Sequence, residues 1–442
     1  MFRTYRLAAL SMALGASVLF SSCSKELDVT PESAVSPDQI NESNVGFFLN
    51  GLYRAATPER DNYLINDIRG GNYTWTPLSG NNSAYGRLIT GNGVDDGLSY
   101  SSSLWKNTYR SIYSANNVIE ACDKLGAEGS VKVVKAEASY LRAYLYYQLV
   151  TAFGGVPVIV ENTTENLPRN TADQVWDQII KDLDFAIAEA KPLQEATNKR
   201  VSKEAATALK ARVLLARGNK AEAAQLAQSL IQSSGLSLTA DYGSIFRSTA
   251  ASREVLFAFS NLKTETNLRF SSLFWPYGTT WAGSYFVQPS TEVLESLYTP
   301  DDVRGAVNID TIYNADKTYN VIVSKYWDVQ PVIVSRLSEM YLISAEGLPV
   351  DQGITYLNEL RRIRGVEAFE ATDFATPEAY LNAVLEERRR ELFSEGFLFF
   401  DLVRTGKAVE LPNIQNTSQY VLPIPGDQIN LSNGMLTQNE GY

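Results

Sequence analysis

Two sets of side chains in this 442-residue sequence are spaced to do chemistry. The first is a run of charges in EERRRELFSEGFLFFDLVRTG (386–406), where Glu387 and Glu391 stand four residues apart. On a helix that spacing places both acids on one face, and paired carboxylates are the machinery of glycosidic bond cleavage. The second set is aromatic. Tyr73, Trp75 and Tyr85 lie in GGNYTWTPLSGNNSAYG (70–86), and Trp275, Tyr277, Trp281 and Tyr285 lie in LFWPYGTTWAGSYF (273–286). Sugar rings present C–H faces that pack on flat aromatic faces, while their hydroxyls seek amides and carboxylates. Asn72, Asn81, Asn82 and Gln288 supply amides close by in the chain. Rings in such stretches either meet a ligand or anchor the loops to the core.

The acid pair has a simpler explanation. Thr376 and Pro377 read as the cap and first residue of a helix. Leu381, Leu385, Arg388 and Leu392 then share one face, which sets a guanidinium in an apolar stripe. A buried guanidinium keeps its charge and needs carboxylates, with Glu391, Glu395 and Asp401 in reach. The expectation is a structural ion-pair network at a helix-to-loop corner, with Glu387 and Glu391 answering Arg388–Arg390. The chain contains no histidine, which removes His-based triads and HExxH zinc sites. NGVDDG (92–97) has Val94 at a calcium-ligand position and no glutamate at the twelfth place. RTGKA (404–408) lacks the first glycine of a phosphate loop and the Ser/Thr after its lysine. No catalytic residue, metal or cofactor is expected, and the chain reads as a binder and not an enzyme.

The elements that must position the loop rings are helical. Periodic apolar patterns mark helices at Trp105–Lys124, Val131–Thr151, Ala172–Lys191, Lys203–Arg217 and Ala221–Ser233. A second block comprises Val334–Leu348, Gln352–Arg364 and Pro377–Ser394. The pair around Gly218, with Ala211, Ala223 and Ala227, has the small residues of a tetratricopeptide helix–turn–helix. Tyr140, Tyr144 and Tyr147 sit on a helix apolar nearly all round and read as core. The expected fold is mostly α. Tetratricopeptide-like helical pairs, mainly 104–235 and 332–410, form a scaffold. A loop-rich subregion with short strands, mainly 57–103 and 236–331, carries the ligand. VLFAFS (255–260) and VIVSKYW (321–327) are the strand candidates.

At the N-terminus Arg3 and Arg6 precede the apolar run Leu7–Phe20, too short to span a bilayer. Ser21, Ser22 and Cys23 follow, so residues 1–22 read as a secretory signal that ends at a cysteine. Cleavage there leaves 37 basic residues against 50 acidic ones, a net charge near −13. Such a surface repels nucleic acid and anionic membranes. The other cysteine, Cys122, falls on an apolar helical face and reads as an inert buried thiol.

Five segments in order resemble one family. Leu27, Asp28 and Pro31 follow Cys23. LWKNTYRSIYSANNVIE (104–120) matches W-x3-Y-x2-I-x2-AN, and SYLRAYLYYQLVTAFGGVPVI (139–159) matches a central motif. Residues 386–406 match ERRxELxxEGxRxxDLxRTG, with Phe397 in place of a basic residue. VLPIPGDQINLSNGMLTQNEGY (421–442) matches an LPIP…LTQNPGY tail, with Glu440 in place of proline. The pattern resembles the SusD/RagB family, surface glycan-binding lipoproteins of Bacteroidetes. The resemblance implies one domain over 23–442, an outer-membrane lipid anchor at Cys23 as the only membrane attachment, and a glycan ligand bound through loop aromatics. It also implies delivery to a TonB-dependent (SusC-like) transporter. A peptide-binding member of the same fold and a glycoside hydrolase are the alternatives. Cys23→Ala is expected to abolish fatty-acid labelling and membrane retention of the expressed protein; unchanged fractionation with membranes would overturn the anchor.

Overall fold

The computed structural model describes residues 40–76, 83–247, 252–264, 268–279, 281 and 283–442. The chain divides at Asn44 into two units, of which Val45–Tyr442 carries the elements that follow. Helices α1 (Val45–Ala56) and α2 (Arg60–Arg69) lead to strand β1 (Tyr73–Trp75) and helix α3 (Ser83–Thr90). A helical series follows: α4 (Ser99–Lys124), α5 (Gly129–Phe153), α6 (Ala172–Glu189), α7 (Lys203–Ala216) and α8 (Lys220–Ser233), each packed on the next. Residues 57–103 are thus more helical than their polar composition suggests. Short α2 and α3 lie inside them, and α4 begins six residues before Trp105.

The helix ends follow local chemistry. Thr171 and Gln174 form a reciprocal capping box at the start of α6. Ser202 Oγ accepts the Ala205 N–H at 3.0 Å to start α7. Gly218, at φ +83°, closes the α7–α8 turn in a conformation that favours glycine. Ala208, Ala211, Ala223 and Ala227 are fully buried between these helices, as small residues at a close helix–helix contact must be. On α5, Tyr140 packs edge-on against Phe257 with ring centres 5.4 Å apart, and Tyr144 meets Phe259 at 5.7 Å. These tyrosines serve the core. Cys122 is buried, and burial pushes its thiol up to about 11.

Past α8 come β2 (Val255–Phe259), β3 (Val287–Pro289), β4 (Ile309–Tyr313), β5 (Tyr319–Val323) and β6 (Val332–Arg336). With β1 they form three two-stranded antiparallel sheets, β1–β3, β2–β6 and β4–β5. Helices α9 (Leu337–Gly347), α10 (Val350–Ile363), α11 (Pro377–Glu391) and α12 (Leu398–Arg404) complete the frame. In the second helical block two boundaries shift by three residues. Val334–Arg336 belong to strand β6, where the β-branched run Val332–Val334 pairs with β2. Helix α11 stops at Glu391, three residues before Ser394. Helix α9 docks on α8 across the whole insertion: a Cβ on Gly347 would lie 2.5 Å from the Lys220 carbonyl oxygen, so only glycine fits.

The corner after α11 gathers a dense cluster of buried charge. Arg304, Arg336, Arg361, Arg364 and Lys325 face Glu254, Asp302, Glu387, Glu391 and Glu395, five cations against five carboxylates, all buried. Glu391 is the hub, within 3.0 Å of Arg304, 2.5 Å of Arg336 and 2.8 Å of Arg364. Arg336 also grips Glu395 with two N–H groups, at 2.9 and 2.8 Å. Two expectations are corrected here. Glu391 and Glu395 pair with these distant cations and not with Arg388, whose partner is Asp401 at 2.9 Å. Glu387 answers mainly Arg304 and Arg361, at 2.6 and 2.7 Å, and more weakly Arg390 at 3.5 Å. Both acids of the candidate dyad are sealed from solvent.

Burial raises the Glu391 carboxyl, but the Arg364 and Arg336 guanidiniums outweigh it and hold the group well below the usual range. Glu387 and Glu395 are lowered in the same way. Burial instead raises Glu254, with Arg364 only partly offsetting it. A lowered carboxylate contributes stability that is present above its unfolded value and lost as pH falls through the folded one. Removing one partner of a buried pair strands the others, typically at about 3–5 kcal/mol. Glu391→Gln is therefore expected to lose about that much stability at pH 7 in denaturant melts. Its deficit relative to wild type should shrink below pH 4.5, the ordinary glutamate value. Arg388→Met, which leaves Asp401 paired with Arg404 at 2.7 Å, should cost less. An E391Q protein as stable as wild type at pH 7 would contradict the hub assignment.

Candidate functional site

Strand β1 and the segment 270–289 carry the loop aromatics, and the backbone locks the two together. Ser284 N–H donates to the Ser272 carbonyl at 2.8 Å, Phe286 N–H to Leu273 at 2.9 Å, and Thr76 N–H to Phe286 at 3.1 Å. A Cβ on Gly283 would lie 2.5 Å from the Ser272 carbonyl oxygen, so the crossing needs glycine. Sheet β1–β3 then sets Tyr73 opposite Pro289, Thr74 opposite Gln288, and Trp75 opposite Val287. The rings that were separated by two hundred residues in sequence thus share one scaffold.

Burial sorts them. Tyr73 is enclosed, packed against Phe274 and Phe393 with its hydroxyl 2.5 Å from Ser394 Oγ. Tyr85 stacks on Phe286 with ring centres 5.2 Å apart and tilts against Tyr100. Tyr285, at φ +46°, shares its single hydroxyl proton between Gln288 Oε1 at 2.9 Å and the Val321 carbonyl at 3.0 Å. Burial pushes the Tyr285 phenol up to about 12. Asn72 is fully buried: it donates to Asp67 at 2.9 Å and accepts from Arg389 Nε at 3.0 Å. As ligand contacts, Tyr73, Tyr285 and Asn72 are therefore corrected to loop anchors, and the ring of Tyr85 is corrected likewise, with only its hydroxyl at the edge of a recess. Asp67 ties the same corner. Burial pushes its carboxyl up to about 7, against three donors from Asn72, Ser394 and Gly396.

The other rings are exposed or half-buried. Trp75 is 42% exposed and lies over Gly86, where an added Cβ would meet the indole at 3.6 Å. Tyr277 is 93% exposed, on a turn where Gly278 takes φ +85°. Trp281 is half-buried. Trp275 is half-buried too, with its indole N–H held by the Tyr326 carbonyl at 2.7 Å, so only part of its face is free. Gln288 is half-buried and already accepts from Tyr285. Asn81 and Asn82 lie outside the described residues.

A polar cluster that the sequence reading missed sits beside this surface. Arg60 Nε pairs with Asp61 at 2.6 Å, Arg60 Nη2 donates to the Tyr85 hydroxyl at 2.9 Å, and that hydroxyl donates to Asp61 at 2.7 Å. These groups, with Glu59 and Tyr100, line a recess of about 260 Å³. Donors and acceptors of both charges beside open rings suit a polyhydroxylated ligand. Adjacent Arg60 and Asp61 at a helix start carry no local signal of this role, because their partner Tyr85 lies 24 residues on. A larger cleft of about 630 Å³ runs past Thr74, Glu292, Asn382 and Arg389, but the one ring in its lining is the buried Tyr73. Among the described residues no cluster of acids and cysteine could hold a metal, and no helix is long and apolar enough to cross a membrane.

Comparison with known proteins agrees with this architecture. Residues 26–215 match the family described as "Starch-binding associating with outer membrane", and residues 236–418 match the SusD family. SusD-like protein P2 of Formosa agariphila is 26% identical over 79% of this chain and 82% of its own length. Among solved structures, a laminarin-binding SusD-like protein superposes with a TM-score of 0.78 at 22% identity, over 91% of this chain and all of the other. Surface glycan-binding protein A from Bacteroides thetaiotaomicron, in complex with laminarihexaose, superposes with a TM-score of 0.77 at 22% identity, over 90% of this chain and 99% of its own. With the two matched segments spanning most of its length and the same helical frame throughout, the chain belongs to the SusD family.

Proposed function

We propose that the protein captures glycans at the outer cell surface on the face formed by Trp75, Tyr277 and Trp281, and passes them to a TonB-dependent outer-membrane transporter. The observation that carries this reading is the exposure of Trp75, on the paired strand β1, and of Tyr277, on a turn flanked by the hydrogen-bonded Trp275 and Ser284. Rings that packing does not require are displayed at a cost in solvent and suit a ligand with C–H faces. The Arg60–Asp61 recess supplies hydrogen-bonding groups for hydroxyls. No chemistry is asked of the site. Binding and release suffice, and the buried acids around Glu391 stay with their arginines. The names of the laminarin-binding relatives support trying β-glucans first. Lipidation at Cys23 would hold the acidic protein over the barrel mouth.

Calorimetry with laminarihexaose and a polysaccharide panel tests the reading. Trp75→Ala and Trp281→Ala are each expected to lose about 1–3 kcal/mol of binding, as aromatic hot spots do, with little change in melting temperature. Trp105 is the control: it is buried against Tyr109 and Phe153 at 5.0 and 5.2 Å. Trp105→Ala should cost about 3–5 kcal/mol of stability through the cavity it leaves. Loop variants that melt early yet bind normally would make these rings anchors. Release of reducing ends from the panel would favour a hydrolase. Pull-down from gently solubilised native membranes should recover a large β-barrel partner; recovering none would count against delivery to a transporter.

A further inference from the structure

The β4–β5 hairpin displays a second pair of rings that the Trp75 surface does not include. Tyr313 and Tyr319 are direct cross-strand partners, so both side chains leave the same face of the hairpin. Their ring centres are 6.2 Å apart at an interplanar angle of 56°, a tilted and not a stacked contact. They are 74% and 63% exposed, the largest exposures among the described tyrosines after Tyr277. A cross-strand aromatic pair adds only modestly to the stability of a hairpin, a small return for displaying two phenols. The tip that holds them is ordered by its own amides and acid. Asn314 donates to Thr318 Oγ1 at 2.9 Å, Asn320 donates to Asn314 Oδ1 at 3.4 Å, and Asp316 accepts from Thr318 N–H at 3.0 Å.

The hairpin is also joined to the candidate site. Strand β5 packs beside β3 and the turn Ser271–Phe274. The Val321 carbonyl, two residues from Tyr319, accepts the Tyr285 hydroxyl that also holds Gln288. At about 3.3 Å per strand residue the tyrosine pair sits only one or two strand steps beyond that anchor. We infer that Tyr313 and Tyr319 form an outer subsite for the same glycan chain, engaged by ligands long enough to reach past the Trp75 surface. Exposed phenol rings of this kind take the C–H face of an uncharged sugar unit in preference to an anion. The inference rests on the glycan-binding reading above.

Chain length separates the two. Laminaritriose, laminarihexaose and polymeric laminarin, or the equivalent lengths of whichever panel polysaccharide binds, are titrated into wild type, the Tyr313→Ala/Tyr319→Ala double variant, Tyr313→Ala alone, Tyr313→Phe/Tyr319→Phe, and Trp75→Ala. The alanine variants should lose five-fold or more in affinity for the polymer and keep wild-type affinity for the trisaccharide. The phenylalanine pair should keep most polymer affinity, since the ring faces remain. Trp75→Ala should weaken every length. Unchanged polymer affinity in folded alanine variants, with Trp75→Ala impaired, would overturn the subsite and leave the main site standing. Unchanged glycan affinity with loss of the co-purifying barrel would overturn it in favour of a protein-docking hairpin. A wild type that binds no glycan of the panel would overturn both.

Discussion

The Glu391 carboxylate, pressed between three guanidiniums and sealed from bulk solvent, is the constraint on which the rest of the molecule depends. Its partners arrive from the turn at Arg304, the end of β6 at Arg336 and the end of α10 at Arg364. Glu254, just ahead of β2, closes the ring through Arg364. A charge moved out of this cluster has nowhere to be solvated, so each segment must arrive in register with the others. The network thereby ties the helical frame to the insertion that carries the aromatics. Gly396 completes the corner: it sits at φ +84°, and a Cβ there would lie 2.3 Å from the Tyr63 carbonyl oxygen. Helix α2, which bears Arg60 and Asp61, is held in place by the same turn that follows the charge cluster.

The sheets and rings show how one scaffold separates support from display. Tyr73, Tyr85 and Tyr285 each satisfy their hydroxyl inside the protein, with Ser394, Asp61 or Val321 as partner. Trp75 and Tyr277 stand a few residues away and have no such enclosure. A ring buried to hold a loop and a ring left exposed are therefore neighbours in sequence, and Trp75 stands on a strand that pairs with β3 beside the buried ones. Preorganisation of this kind lowers the ordering cost that a ligand must overcome.

Much of the frame was legible before any coordinates. Helices with sharp caps, such as α6 behind Thr171 and α11 behind Thr376–Pro377, announce themselves through residues whose chemistry is local. Strand β6 did not, because VIVSRLSEMYL is apolar at both the strand and the helix period, and its pairing with β2 decides the matter. The ion-pair corner was visible in Arg388, yet the partners of Glu391 were misassigned. Neighbours three or four residues away are the natural candidates on a helix, whereas the actual ones come from residues 304, 336 and 364. The same limit applied to the loop rings. Local composition marked the stretches around Trp75 and Trp281, but Tyr73 and Tyr85 tuck under because they meet Phe274, Phe286 and Phe393, all far from them in sequence.

The docking of α9 onto α8 through Gly347 has a further consequence. It pins both ends of the long insertion between Ser233 and Leu337, so from the standpoint of the polymer this segment is a closed loop. The entropy of closing such a loop grows only with the logarithm of its length, about 0.6 kcal/mol for each doubling. Adding or removing a few residues at the hairpin tip or around Tyr277 therefore changes the cost of closure by very little. Over evolutionary time the frame can stay as it is while the insertion is lengthened, trimmed and redecorated, and one helical chassis can acquire new ligands without having to be stabilised again.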